Sequence, residues 1–128
     1  MKFLLDTHLE LWMYFEQRRL TAQARSVLEN RQNGLVFSTA SLWEIGIKRG
    51  RGKMGFQFDP RVLRRAMLDD GYEELPVLGQ HAVEADSLPP IHKDPFDRIL
   101  IAQAMVEGII LLTADPTIAR YPAPILKV

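Results

Sequence analysis

The sequence contains no cysteine. Disulfides, thiolate metal sites and cysteine nucleophiles are therefore excluded. It also lacks net charge, because 16 basic side chains are matched by 16 acidic ones. The surface as a whole is then no attractor for polyanions, and nucleic-acid binding would require a local basic patch. Histidine is scarce: His8, His81 and His92 are the only three, and nothing in the sequence sets two of them on either side of a phosphate. Long hydrophobic runs are missing too. None is long enough to span a bilayer, and the apolar run 3–5 is too short for a signal peptide. No membrane association and a cytoplasmic location are expected. Neither an internal repeat nor a Gly/Ser linker occurs, so residues 1–128 are expected to form a single domain.

What is present is an alternation of short apolar runs and helical patterns. Residues 3–5, 35–37, 75–77 and 109–112 read as strands, the third weakened by Pro76, and 125–128 offers a fifth. Runs without polar alternation suit strands buried on both faces, as in a parallel sheet. Between them, Leu9, Leu11, Trp12 and Phe15 mark one apolar stripe, and Thr21 caps a helix over 22–30. Further helices are expected over 38–48, 60–70 and 94–107, the last stopped by Gly108. Strands alternating with helices predict a three-layer α/β/α sandwich around a central, mainly parallel sheet of four to five strands. Right-handed crossovers would align the carboxyl ends of the strands along one edge, where such folds place their sites.

Four acids fall at that edge. Asp6 follows the first strand, and Asp115 follows the fourth in Leu111-Leu112-Thr113-Ala114-Asp115. Glu44 lies about one turn into the helix after the second strand, and Asp97 lies in the first turn of the helix that begins near Asp94. Packed carboxylates repel one another and are costly to bury unpaired, so such a cluster normally needs a cation. A set of oxygen ligands suits one or two Mg²⁺ or Mn²⁺ ions, which polarise a phosphate and lower the pKa of a bound water. The chemistry that fits is phosphodiester hydrolysis. Each acid also reads as a helix cap: Asp6 before the first helix, Glu44 as the far end of a capping box begun by Ser41, Asp97 as an acid at N3, and Asp115 before Pro116. Four caps meeting at one sheet edge are less expected than one site.

At these residues the chain resembles the PIN-domain nucleases, and among them the VapC toxins of bacterial toxin–antitoxin pairs. The resemblance is carried by Leu4-Leu5-Asp6-Thr7-His8, by residues 38–48 around Leu42-Trp43-Glu44-Ile45, by residues 92–104 around Asp94-Pro95-Phe96-Asp97-Arg98, and by residues 111–115. It implies a metal-dependent endoribonuclease whose catalytic, metal-binding acids are Asp6, Glu44, Asp97 and Asp115. Ser38, Thr113 and Asp94 would support them. It further implies an RNA substrate, a homodimer and a cognate antitoxin that blocks the site. An amphipathic segment of that partner would lie across exposed aromatics near Trp12, Tyr14 and Phe15. Glu10 departs from the family pattern, which has a small or apolar residue there. It would either face solvent or weaken RNA binding.

The densest positive run, Lys48, Arg49, Arg51 and Lys53 with interspersed glycines, suits phosphate contacts or an ordinary solvated loop. Arg98 would hold a phosphate or pair with an acid. His8 and His92 flank acidic positions but read as helix-start or surface residues, and Trp12 and Trp43 read as core or interface. The competing class is a catalytically silent module that binds RNA or protein. Retention of four mutually repelling acids speaks against it. A haloacid-dehalogenase-like phosphatase would need an Asp where His8 stands, and no P-loop occurs.

Overall fold

The first strand, β1 (Lys2–Leu5), takes the middle of the sheet, since three consecutive buried apolar residues leave it no solvent face. The computed structural model describes residues 1–52 and 57–128. In it β2 (Gly34–Ser38) and β4 (Ile110–Thr113) flank β1, while β3 (Glu73–Leu75) and β5 (Ile125–Lys127) form the edges. All four pairings are parallel, with Leu4 level with Val36 and Leu111. The sheet is thus the parallel five-stranded one that the apolar runs predict.

The third strand begins two residues earlier than expected and ends before Pro76. Proline has no N–H to donate to a ladder, and an edge strand tolerates polar residues. Glu73 and Glu74 sit there paired with Lys2 and Arg64.

Alternate side chains of the central strands feed two cores. Leu4, Val36 and Leu111 pack on one face with Leu100, Ile101 and Ala104 of α6 (Pro95–Glu107). Phe3, Leu5, Leu35 and Leu112 pack on the other with Leu9 and Trp12 of α1 (Thr7–Phe15) and Val27 of α2 (Ala22–Glu29). Phe37 extends that second layer to Ile45 of α3 (Thr39–Gly50) and to Leu63 and Met67 of α4 (Pro60–Asp69). Each fully buried leucine contributes about 2 kcal/mol relative to exposure. Gly108 ends α6 at φ 67°, a left-handed conformation that suits glycine, and its N–H donates to the Ala104 carbonyl.

One helix lacks a sequence signal. In α5 (Gly79–Ser87) the fully buried residue is not apolar but His81, with the small Ala85 packed against the core beside it. Its Nδ1 accepts from the Leu78 amide at 2.9 Å, and its Nε2 lies 2.8 Å from a Glu107 oxygen on α6. Val83 of the same helix is exposed, so the apolar periodicity that marks the other helices is lost here. Among the described residues, no helix is long and apolar enough to cross a membrane.

Candidate metal centre and active site

Asp6 leaves the end of β1 and becomes the N-cap of α1, its Oδ1 accepting from the His8 amide at 3.2 Å. Its Oδ2 accepts from the Thr113 hydroxyl at 2.6 Å. The sheet register makes that contact inevitable, because Leu5 is level with Leu112 and the next residues face each other across β1 and β4. Thr113 Oγ1 accepts in turn from the Asp115 amide at 3.0 Å, so one hydroxyl orients two acids. Asp115 Oδ1 takes the Thr117 amide at 2.8 Å, which leaves Oδ2 to face the site. Capping and clustering are therefore compatible: one oxygen closes a turn and the other serves the cluster.

Ser38, at the end of β2, caps α3 by accepting from the Ala40 amide at 3.0 Å. The helix thus starts two residues before Ser41, whose hydroxyl accepts from Thr7 instead. Glu44 consequently sits mid-helix, where all backbone amides already have partners, and the capping-box reading fails. It is 1% exposed, and its Oε2 meets Lys48 Nζ at 2.5 Å. Glu44 Oε1 is buried without a partner.

At the start of α6 the two candidate acids divide their work. Asp94 is the N-cap, accepting from the Phe96 and Asp97 amides at 2.8 and 3.3 Å. Asp97, relieved of capping, lies buried toward the other acids. Burial first, then the charges of Asp6, Asp94, Glu44 and Asp115, push its carboxyl up to about 8. Burial likewise raises the Asp6 carboxyl, against the lowering effect of the Thr113 hydrogen bond. These mutual influences bring Asp6, Glu44, Asp97 and Asp115 into one electrostatic cluster at the carboxyl edge of the sheet.

The raised carboxyl has a measurable consequence. An unfolded Asp titrates near 3.8, so between that value and about 8 the folded state holds a proton that the unfolded state has lost. The associated stability is present at low pH and is lost as pH rises toward 8. The metal-free protein is expected to melt at a higher temperature at pH 6 than at pH 8, and Asp97→Asn should shrink that difference in a calorimetric series. An unchanged slope in the variant would remove Asp97 from the cluster. Asp6 and Glu10, raised as well, act in the same direction and account for the remaining slope.

Two residues join the site that the sequence reading left outside. His92, read as a surface residue, is half-buried with Nε2 2.8 Å from Asp97 Oδ2 and 3.8 Å from Asp115 Oδ2. One ligand atom from each of these three residues lies within 4.8 Å of the others, close enough to hold a metal ion together. The motif His92-Lys93-Asp94-Pro95 carried the signal, but only the loop's fold reveals it: Tyr121 and Arg98 hold the His92 backbone in place. The second is Glu10. It does not face solvent but is fully buried one helical turn past Asp6, where the charges of Asp6 and Glu44 act on it.

The basic residues fare unevenly. Lys48 pairs with Glu44 at the site, Arg49 meets Asp59 at 3.3 Å, and Arg51 is exposed just past α3. Lys53 lies outside the described residues. Arg98 forms no ion pair with an acid among the described residues: its guanidinium donates to the carbonyls of Ala85, Leu88, Pro89 and His92, clamping the loop before α6. The aromatics are also redistributed. Trp12 and Tyr14 are half-buried in the cores, whereas Trp43 is 68% exposed and edges onto Phe96.

The fold is a parallel α/β/α sandwich that carries acids from the end of β1, α3, α6 and the turn after β4 at the carboxyl edge of its sheet. Residues 3–124 match the PIN domain family, and the chain belongs to that family. Similar solved structures include VapBC2 from Rickettsia felis bound to a DNA fragment from their promoter, at a TM-score of 0.72 and 15% identity over 99% of this chain and 98% of that one. They also include DNA-bound VapBC from Salmonella typhimurium (TM-score 0.64, 18% identity) and VapBC-1 from nontypeable Haemophilus influenzae (0.61, 18%), each covering 99% of this chain and 98% of the other. At these identities the likeness is one of fold. No curated protein sequence matches the chain.

Proposed function

We propose that this chain is a VapC-type toxin: a single-domain, cytoplasmic endoribonuclease that depends on Mg²⁺ or Mn²⁺ and is silenced by a cognate antitoxin. The observation that carries the reading is the convergence of Asp6, Glu44, Asp97 and Asp115 on one edge of a PIN fold. Their chemistry fits a hard divalent cation, since the donors are carboxylate oxygens with one imidazole and no sulfur. Glu44 Oε1, buried and unpartnered, has the character of a ligand atom. When bound, one or two such ions supply charge neutralisation at the phosphate and activation of water.

The chain's own residues do the positioning. Thr113 fixes Asp6 and, through the Asp115 amide, the last acid. Asp94 closes the helix end, so that Asp97 need not. Lys48 offsets the charge of Glu44 and stands where an incoming phosphate would meet it, with Arg49 and Arg51 continuing the positive surface along α3. Hydrolysis breaks the bond from phosphorus to the 3′-oxygen, with the oxygen of water forming the new bond.

The partner assignment is supported by the VapBC complexes that share this fold. An apolar groove of about 510 Å³ is lined by Ala40, Trp43, Val77, Phe96 and Ile99. This groove, rather than the α1 aromatics, is the apolar surface we assign to contacts with protein, whether antitoxin or a second subunit. Expression of the chain in a bacterium is expected to arrest growth, with recovery when the neighbouring small open reading frame is co-expressed. Normal growth with folded wild-type protein present would remove the toxin assignment.

A further inference from the structure

The proposed catalytic set does not use His92, yet the fold holds this loop residue from both sides. Its amide donates to the hydroxyl of the buried Tyr121 at 2.7 Å, and its carbonyl accepts from Arg98 at 3.4 Å. Arg98 also donates to the carbonyls of Ala85, Leu88 and Pro89, so one guanidinium fixes the chain leading to His92. A loop histidine that pointed at solvent would gain nothing from such anchoring. Here the anchoring sets the imidazole against the acids.

Nε2 of that ring lies 2.8 Å from Asp97 Oδ2 and 3.8 Å from Asp115 Oδ2. Asp115 presents this oxygen because its Oδ1 is taken by the Thr117 amide, and Asp97 is spared from capping α6 by Asp94. Despite the short distance, Nε2 is buried and makes no hydrogen bond among the described residues. A separation of 2.8 Å suits a hydrogen bond, so direction is what is lacking. A ring nitrogen beside two carboxylates but aligned with neither is placed to share a cation with them. Neighbouring ligands on an octahedral ion with bonds of about 2.1 Å stand about 3 Å apart. One ligand atom from each of the three residues already lies within 4.8 Å of the others. Small side-chain rotations bring all three onto one ion.

We propose that His92 is a nitrogen ligand of a divalent ion held with Asp97 and Asp115, and that it biases the site toward a first-row transition ion, Mn²⁺ among them, over Mg²⁺. The inference rests on the reading of the acid cluster as a metal centre. Mg²⁺ is a hard ion that favours oxygen and water, whereas imidazole gains more from a transition ion. Arg98 and Tyr121 are then positioning residues, which act on the metal through the backbone of His92.

The metal-stripped full chain, saturated with MnCl₂ and freed of excess, is expected to show coupling to a directly bound nitrogen in pulsed electron paramagnetic resonance. His92→Gln should lose that coupling. His8→Gln should keep it, although His8 lies 3.9 Å from Asp6, and the ring nitrogens of His81 are engaged by the Leu78 amide and Glu107. Isothermal titration should show Mn²⁺ binding weakened about tenfold or more in His92→Gln and Mg²⁺ binding much less, so that the preference for Mn²⁺ falls. A histidine that merely positions Asp97 would weaken both ions alike, and that result would overturn the proposal. Nitrogen coupling that survives in His92→Gln, or vanishes in His8→Gln, would overturn it too. If His92→Gln does not fold, the wild type and His8→Gln still decide the matter. Mn²⁺ bound to the wild type without nitrogen coupling removes His92 and leaves the proposed nuclease intact. A wild-type chain that binds no Mn²⁺ overturns both.

Discussion

Asp97→Asn is expected to lower RNA cleavage by roughly 10³-fold or more while leaving the fold in place. Asparagine keeps the shape but removes the charge that a cation requires, and it relieves the repulsion that raises this carboxyl to about 8. The metal-free variant should therefore be at least as stable as the wild type at pH 8. Asp94→Ala should behave in the opposite way. Asp94 caps α6 through the Phe96 and Asp97 amides, so its loss should cost about 1 kcal/mol of stability. Cleavage in that variant should fall far less than in Asp97→Asn. Single-turnover cleavage and thermal melts on the pair separate the two roles, and a reversed ranking would make Asp94 the third ligand.

The second large effect concerns the metal and the products. Exhaustive treatment with EDTA should abolish cleavage, and Mg²⁺ or Mn²⁺ should restore it. The products should carry a 5′-phosphate and a 3′-hydroxyl. A substrate with a single 2′-deoxy sugar at the scissile position should still be cut, because the proposed route uses water rather than the ribose hydroxyl as the nucleophile. Weaker binding is expected, since the 2′-hydroxyl also serves recognition of RNA. A 2′,3′-cyclic phosphate would refute this route. His8 and His92 could not easily supply the alternative: His8 is near Asp6 at 3.9 Å on the exposed start of α1, and His92 is committed to Asp97 and Asp115.

Much of this architecture is legible in the sequence because the chemistry is local. Continuous apolar runs mark strands buried on both faces, and Asp94-Pro95 with Gly108 brackets α6 at both ends. Asp6 and Asp115 stand out because each follows a strand, Asp97 because it lies in the first turn of α6, and Glu44 because it lies about one turn into the helix after β2. What was not legible depends on contacts between distant segments. α5 is anchored by the buried His81 reaching Glu107, a polar link that leaves no apolar periodicity. Arg98 reads as a phosphate ligand or an acid's partner beside Asp97, and only the fold shows its guanidinium donating to carbonyls of the preceding loop. Glu10 looks like a solvent-facing acid because it interrupts an apolar stripe. Only the packing of α1 against the site reveals that it points inward.

The order of the strands has a bearing on when the molecule becomes active. β1 occupies the middle of the sheet, between β2 and β4, and Thr113 at the end of β4 sets the orientation of Asp6. A polypeptide still emerging from the ribosome has made β1, β2 and the first two acids long before it has made β4. Until then one side of β1 has no neighbour, Asp6 has no hydroxyl to orient it, and Asp115 does not yet exist. A ribonuclease of the kind proposed would therefore acquire a complete site only when nearly all of its residues have been joined.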